Sequence, residues 1–160
     1  MTETKECCTK FDPQPWEKIT HHWNEKPFLL DTVPQFLHMP SPWMYKRSLT
    51  RMWKRAQKLG VAPDIKDFML FAHDPSPWKS ELYLAVTKEV QEPDIAKLTG
   101  TYVSMVFDGP YSGVPRYIKT MNEYLDTLKM KPKKYFFYYT TCPKCAQKFG
   151  HNYIVALSEI

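Results

Sequence analysis

The chain carries one pattern of apolar residues twice. A shift of 69 positions superimposes four pairs of identical residues: Met52 on Met121, Leu59 on Leu128, Pro63 on Pro132 and Phe68 on Phe137. Each copy has the periodicities of a strand, a helix and two further strands. Because one helix on at most three strands is too small to close a core, the copies are expected to share one. The sequence predicts an α+β fold, in which tandem duplicated strand-helix-strand-strand units form one curved antiparallel sheet with two helices on one face.

The helix of each copy is marked by apolar residues spaced three and four positions apart. In the first copy this stripe covers residues 45–59 and ends at Gly60. In the second copy it covers residues 114–128, with Pro115 in the first turn, where a missing N–H costs nothing. Two helices side by side on a curved sheet leave a groove between them. We expect a ligand to bind there.

Six short runs predict the strands. They cover residues 28–37, 67–72, 82–86, 102–107, 135–139 and 153–157. We divide the chain into an N-terminal arm, residues 1–27, and one domain, residues 28–160, with half-repeats 28–91 and 96–160. The first ten residues of the arm are expected to be disordered. Trp16 and Trp23 are costly to leave in water, so they are expected to dock on the domain.

Composition argues against several classes of protein. The 160 residues are 43% hydrophobic, but the longest apolar runs have five residues, far short of a membrane span. The N-terminus has no signal-peptide core, so we expect a cytoplasmic protein with reduced cysteines and no membrane partner. Only four of the 22 basic residues are arginine, the usual reader of nucleic-acid bases, so we expect no nucleic-acid partner. The basic cluster of residues 46–58 is typical of a solvated helix face.

Three segments give the chain a family likeness. Phe107-Asp-Gly-Pro-Tyr111 leads into the second helix, and the closing strands contain residues 136–139 and 152–157. Together with the duplicated order, these segments resemble the GyrI-like small-molecule-binding domain, the module of the gyrase-inhibitor protein and the ligand sensor of multidrug-responsive regulators. The resemblance covers residues 28–160. It implies an aromatic-lined cleft between the halves, often with a buried acidic group that faces flat cationic compounds, and some members resemble hydrolases of cyclopropane-bearing toxins.

The resemblance also points to carboxylate positions. The family places an acidic residue two positions before a strand tyrosine, as Glu81 stands before Tyr83. The second half departs from this pattern, because His151 stands before Tyr153. Alternation along a strand puts both members of each pair on one face. Glu159 alternates with Tyr153 and is a second candidate for a carboxylate in the cleft.

Aromatic residues are expected to line the cleft, and alternation puts Tyr135, Phe137 and Tyr139 on one face of their strand. Trp43 and Tyr111 each follow a proline at the start of a helix and would form its walls. Ring faces bury large flat areas and attract cations, a contact worth roughly 0.5 to 2 kcal/mol when well placed. The predicted ligand-binding residues are Trp43, Glu81, Tyr83, Tyr111, Tyr135, Phe137, His151 and Tyr153.

The sharpest local motif is Cys142-Pro-Lys-Cys145. Two cysteines at this spacing are typical of half a zinc site, to which His151 would add a third ligand. A redox motif would open a helix, whereas a short connection to the next strand is expected here. A structural or incidental tight turn is therefore favoured over metal binding and redox chemistry, and no metal site and no cofactor are assigned.

Three functions remain open at this stage. The first is a small-molecule binding protein that takes flat aromatic or cationic, xenobiotic-like compounds in the aromatic cleft. The second is a GyrI-like hydrolase of electrophilic toxins in the same cleft, with Glu81 or Glu159 as general base. The third is a zinc-binding or interaction module at Cys142 and Cys145. The sequence has no phosphate loop, nucleophile elbow or metalloprotease motif, and it does not indicate an oligomeric state.

Overall fold

A computed structural model describes residues 10–140 and 143–160. It divides into a central unit, residues 22–100, and a terminal unit, which joins the N-terminal residues up to His21 to residues 101–160. Helices and strands are both present, so the predicted α+β class is confirmed. The elements are β1 (Ile19–Phe36), β2 (Met39–Pro40), α1 (Pro42–Lys58), β3 (Leu70–Ser76), β4 (Lys79–Ala85), β5 (Ile95–Asp108), α2 (Val114–Thr127), β6 (Lys134–Tyr139), α3 (Pro143–Phe149) and β7 (Tyr153–Glu159).

The central unit packs α1 on one face of an antiparallel sheet. Its strand order is β2-β1-β4-β3, with Asp31 opposite Leu82 and Leu70 opposite Leu84. Alternation along the strands turns every second side chain toward the helix. The core so formed contains Leu29, Val33, Met52, Ala56, Val61, Leu70, Leu82 and Leu84.

The terminal unit repeats this arrangement with α2. Its three longer strands run β6-β7-β5, and both pairings are antiparallel. The side chains between α2 and the sheet form two adjoining clusters. They contain Val103, Met105, Met121 and Leu125 in one, and Tyr117, Phe137, Ile154 and Ala156 in the other.

The duplication seen in the sequence is present in the helices. The three buried positions of α1 and α2 correspond at the same shift: Ser48 to Tyr117, Met52 to Met121 and Ala56 to Leu125. Each helix is followed by a residue in the left-handed region, Gly60 with φ of 69° and Lys129 with φ of 56°. This conformation closes a helix end by turning the next N–H back toward the last turn. The N–H groups of Val61 and Met130 duly donate to carbonyls in the last turns of α1 and α2.

Several boundaries differ from the predictions. β1 begins at Ile19 rather than at residue 28, and β5 begins at Ile95 rather than at residue 102. Both early stretches are partly exposed and lack a strict alternation of apolar residues, so backbone pairing, which needs no apolar periodicity, decides their conformation. β3 continues to Ser76, beyond the predicted end at residue 72, because the reversal occurs at Pro77 and Trp78.

The connection after the cysteine motif was also predicted wrongly. Residues 143–149 form the short helix α3 rather than a non-helical link. Cys142 lies outside the described residues, and Cys145 is buried within that helix. The objection that the motif does not lead into a helix therefore no longer holds.

Both tryptophans of the arm are partly buried, and contacts within its own unit hold the segment that carries each of them. In the terminal unit the Trp16 carbonyl accepts a hydrogen bond from the Ser104 hydroxyl at 2.7 Å. In the central unit the Trp23 ring lies 5.7 Å from Phe28 and 6.1 Å from Phe71. The predicted disorder falls almost wholly on residues 1–9, which lie outside the described range. Among the helices of the described segments, none has the length and apolar character needed to cross a membrane.

Candidate functional site

The central unit has an open groove along one flank of α1. Its volume is about 390 Å³, within the range of sites that hold small organic molecules. The floor is apolar and is formed by side chains of α1, of the residues just before β3, and of strands β3 and β4. It contains Leu49, Met52, Trp53, Phe68, Leu70 and Leu84.

Two rings give the groove its flat surfaces. Trp53 and Phe68 are half-buried, with ring centroids 6.2 Å apart and planes inclined by 54°. The exposed rim consists of polar α1 side chains, Thr50, Lys54 and Gln57. Lys54 is the single charged residue among the described residues that line the groove. The electrostatics therefore favour an uncharged or anionic guest over a cation.

The terminal unit has a ladder of stacked rings along β6. Tyr135 and Phe137 lie 6.2 Å apart at 20°, and Phe137 and Tyr139 lie 6.5 Å apart at 17°. Tyr111, which is exposed at the start of α2, meets Tyr139 edge-on at 4.8 Å. The common face predicted for the three β6 rings is thus confirmed, and Tyr111 extends it.

A polar contact links this ladder to α2. The Tyr135 hydroxyl donates a hydrogen bond to the Asn122 amide oxygen. Burial raises the pKa of Tyr135, so its hydroxyl keeps its proton and remains a donor. Asn122 occupies the position in α2 that Trp53 occupies in α1. The same helix position therefore forms a polar pair with a strand residue in one unit, whereas in the other it forms a ring contact with Phe68, which lies just before β3.

Glu81 and Tyr83 form a carboxylate–phenol pair on β4. The Tyr83 hydroxyl donates to the Glu81 Oε2 at 2.8 Å. Tyr83 is buried, and its ring lies 6.2 Å from Phe28, which in turn packs 6.1 Å from Phe71. Glu81 is partly exposed, so it does not require a buried counter-ion. The arrangement presents a carboxylate, steadied by a phenol, at the edge of an aromatic cluster.

The groove and this pair lie on opposite faces of the central sheet. Leu82 and Leu84 on β4 pack toward α1, and alternation sends Glu81 and Tyr83 the other way. Trp43 belongs to the helix side and is 66% exposed, with the Arg47 guanidinium 5.4 Å from its ring centroid. The structure therefore does not bring Trp43 together with Glu81 and Tyr83.

His151 is held by an aspartate. Its Nδ1 lies 2.7 Å from the Asp108 Oδ2, and the Asp108 Oδ1 accepts the backbone N–H of Asn152 at 2.9 Å. The bond to His151 and, secondarily, that N–H hold the pKa of Asp108 below its usual value. The His151 ring stacks on Tyr153 at 5.0 Å. The two predicted partners are thus adjacent, although His151 is exposed.

Tyr153 faces away from the β6 ladder. Ile154 and Ala156 on β7 pack with that ladder, so the alternation turns Tyr153 to the other side, where Phe11 lies 5.9 Å away. Glu159 is on this second face and stands opposite Tyr102. Burial raises the pKa of Tyr102 to about 12, and the Glu159 charge adds to the rise.

The zinc hypothesis gains no ligand set from the described residues. Within residues 10–140 and 143–160, no group of three or more histidine, cysteine, aspartate or glutamate side chains is placed to hold a metal ion. Cys142 lies outside them, so the pairing of the two cysteines stays a prediction.

Trp53 and Phe68 were not predicted as site residues. Both had been placed in apolar runs of a helix and a strand, where periodicity marks only a residue that faces the sheet. Whether a residue at the edge of an apolar stripe is packed in the core or lines a groove depends on the side chains around it, which periodicity does not reveal. The one available signal was the exchange of Trp53 for Asn122 between the repeats.

A comparison with protein families settles one question. The model of a family described as bacterial hydrolase matches residues 1–160. The chain belongs to this family. A comparison with curated proteins gives no significant match.

Solved structures extend the family assignment to the fold. The chain is similar to an uncharacterized conserved protein from Listeria innocua, with a TM-score of 0.65 and 13% sequence identity. The match covers 89% of this chain and 91% of the other. At this identity the likeness shows that this member of the bacterial hydrolase family shares a fold with that protein.

Proposed function

We propose that this bacterial hydrolase family member binds flat, largely apolar small molecules in the groove beside α1. The observation that carries the proposal is an apolar groove of about 390 Å³ lined by the rings of Trp53 and Phe68. A planar guest would bury its faces against these rings and leave a polar edge near Lys54. Each well-packed ring contact is worth about 0.5 to 1.5 kcal/mol beyond the area that it buries.

A fluorescence titration with two planar dyes tests the site. Nile red is uncharged and ethidium is cationic, so tighter binding of Nile red is expected beside Lys54. Thr50→Trp fills the groove from its exposed rim without removing a core side chain, and it is expected to weaken Nile red binding tenfold or more. Trp53→Ala is expected to do the same.

Trp78→Ala is the matched control for Trp53→Ala, because Trp78 is exposed outside the groove. It is expected to leave the affinity unchanged. A loss of binding in Trp78→Ala, with Thr50→Trp unaffected, would place the dye elsewhere and reject the proposed site.

Hydrolysis is the second candidate function, favoured by the family match and the pair of Glu81 and Tyr83. In this scheme the Glu81 carboxylate accepts a proton from water while the water oxygen bonds to an electrophilic carbon of the guest. The bond from that carbon to the leaving atom breaks, and the proton passes to the leaving atom. Tyr83 keeps the carboxylate oriented through its 2.8 Å hydrogen bond.

Incubation with a cyclopropane-bearing electrophile tests this chemistry. The wild type is expected to form product above the buffer rate, Glu81→Gln to lose that activity and Tyr83→Phe to lose part of it. Glu159→Gln is the control, since the same substitution there removes the alternative base. A rate equal to buffer in the wild type, or full activity in Glu81→Gln, would reject Glu81 as base.

The finer sequence predictions extend this proposal. They are membership of the GyrI-like family, one domain over residues 28–160, a single curved sheet with both helices on one face, and a cytoplasmic location. They also include ligand contacts by two of the predicted groups, Glu81 with Tyr83 and Tyr111 with Tyr135 and Phe137. Zinc analysis of protein purified without chelator tests the third function, and less than about half an equivalent would count against it.

A further inference from the structure

One part of the central unit exposes an unusual amount of apolar surface. Of the nine large hydrophobic side chains that are exposed in the described part of the chain, six lie there. We call them the hairpin patch: Phe36 (66% exposed), Leu37 (58%), Met39 (75%), Trp43 (66%), Met44 (37%) and Trp78 (55%). Exposed apolar residues are ordinarily scattered, so a concentration of this kind marks a surface that meets an apolar partner.

Backbone and ring contacts hold the hairpin patch together. β1 and β2 pair as a hairpin, with Phe36 opposite Met39. The His38 N–H donates to the Pro77 carbonyl at 2.9 Å, and the Phe36 and Trp78 rings lie 5.5 Å apart. α1 begins at Pro42, directly after β2, so Trp43 follows at once. These contacts join the β1–β2 hairpin to the turn between β3 and β4, and α1 follows the hairpin directly in sequence.

The turn at the tip of the hairpin holds Leu37 in an unfavourable backbone conformation. Leu37 and His38 have the positive φ of a tight hairpin turn, 47° and 65°, a conformation in which asparagine, aspartate and histidine are enriched but which leucine rarely adopts. Glycine at position 37 would adopt this φ without strain, and a buried position would keep the leucine side chain out of water, but the residue is leucine and it is exposed. A strained residue that projects an apolar side chain into solvent is characteristic of functional sites.

The surroundings of the hairpin patch are basic. Lys46, Arg47 and Lys79 are exposed beside it, and no acidic residue occurs in residues 35–47 or 75–80. Two acidic residues flank the second range: Asp74 is paired with His38 at 3.0 Å, and Glu81 accepts the hydrogen bond from Tyr83. The partner that this surface complements is therefore both apolar and negatively charged.

We propose that the hairpin patch docks the protein on an anionic lipid surface. Tryptophan and phenylalanine settle at the boundary between headgroups and acyl chains, and lysine and arginine are attracted to an anionic leaflet. A projecting tip enters such a boundary, whereas it offers no groove to a peptide. A second copy of the chain would oppose the same basic rim to itself. Docking of this kind needs no membrane span, and it goes beyond the proposed function because it leaves the groove untouched.

Vesicle sedimentation tests the proposal with the full-length chain. Vesicles of phosphatidylcholine mixed with phosphatidylglycerol are expected to bind the protein, and vesicles of phosphatidylcholine alone to bind it at least tenfold more weakly. Leu37→Ser combined with Trp78→Ser, and separately Lys46→Glu combined with Arg47→Glu, are each expected to weaken binding at least tenfold. Leu128→Ser, an exposed apolar residue of the terminal unit, is the control and is expected to bind normally.

Two outcomes would overturn the proposal. One is equal binding, or no binding, to the two kinds of vesicle. The other is a dimer in light scattering that Leu37→Ser with Trp78→Ser dissociates, since the occupant would then be a second copy. Circular dichroism verifies that the substituted proteins are folded. Nile red binding to the groove is a separate readout, so failure of lipid docking and failure of the proposed function are distinguished.

Discussion

A glycine in the Phe107–Tyr111 motif makes room for a buried tyrosine. A Cβ at Gly109 would overlap the Tyr117 hydroxyl oxygen, whereas the next atom of that ring, Cζ, would be 3.4 Å away. Tyr117 has no room to retreat, because it is buried, stacks on Phe107 at 4.6 Å and donates to the Pro110 carbonyl at 2.9 Å. Gly109→Ala is therefore expected to lower the free energy of unfolding by about 1 to 3 kcal/mol.

Removing the hydroxyl is expected to relieve this clash. Tyr117→Phe alone costs about 0.5 to 1.5 kcal/mol for the lost hydrogen bond. In the double variant the alanine methyl group meets Cζ at 3.4 Å, an ordinary contact. Gly109→Ala with Tyr117→Phe is therefore expected to be about as stable as Tyr117→Phe. Urea unfolding followed by circular dichroism measures all four proteins of the cycle.

Gly113 is the matched control for this cycle. A Cβ there would lie 2.5 Å from the Tyr117 Cζ, which phenylalanine retains. Gly113→Ala is accordingly expected to be destabilising both with and without Tyr117→Phe. The reasoning is refuted if Tyr117→Phe rescues both alanine variants alike, or if it fails to rescue Gly109→Ala.

Three further changes probe ionisable and polar contacts. Asp31→Ala is expected to lower the free energy of unfolding in urea by about 1 to 3 kcal/mol, because it removes the acceptor to which the buried Ser48 hydroxyl donates at 2.7 Å. Arg51→Ala is expected to lower it by less than about 1 kcal/mol, because Arg51 is exposed. The hydrogen bond from Arg55 on α1 lowers the pKa of Asp94. This bond stabilises the fold above about pH 4 and is lost as pH falls, so Asp94→Asn is expected to flatten the fall in Tm with acid. Burial raises the pKa of Tyr102 to about 12, so the protein is expected to lose stability as pH rises from about 10 to about 12. Tyr102→Phe is expected to flatten that loss, which urea unfolding and tyrosinate absorbance measure.

The helices and the duplication were predictable from the sequence. Their apolar stripes have a period that few alternatives share, and the buried residues Met52 and Met121 occupy equivalent positions in α1 and α2. The start of β1 at Ile19 was not predictable, because a strand that is exposed and polar carries no alternation. Helix α3 was missed for a similar reason: its seven residues are too few to establish a period.

The candidate site was predicted in part, and the failure has a geometric cause. Alternation correctly placed Glu81 with Tyr83, and Tyr135 with Phe137, on common faces. It left open which face of each sheet those residues occupy, because a pattern of period two has no absolute direction. Trp53 escaped notice because a residue that flanks a helix stripe looks like core until its neighbours are known.

The division of residues between the two sheet faces separates binding from chemistry in the central unit. A guest in the groove touches Trp53 and Phe68, while the only base proposed in that unit, Glu81, faces the opposite side of β4. If the substrate of a hydrolase bound only in the groove, it would lie out of hydrogen-bond reach of Glu81, and Glu81 could not act as its base. Thr50→Trp and Glu81→Gln therefore act on independent functions. Loss of hydrolysis in both variants would require that the groove guest and the carboxylate meet, and it would contradict the facing of β4 deduced from Leu82 and Leu84.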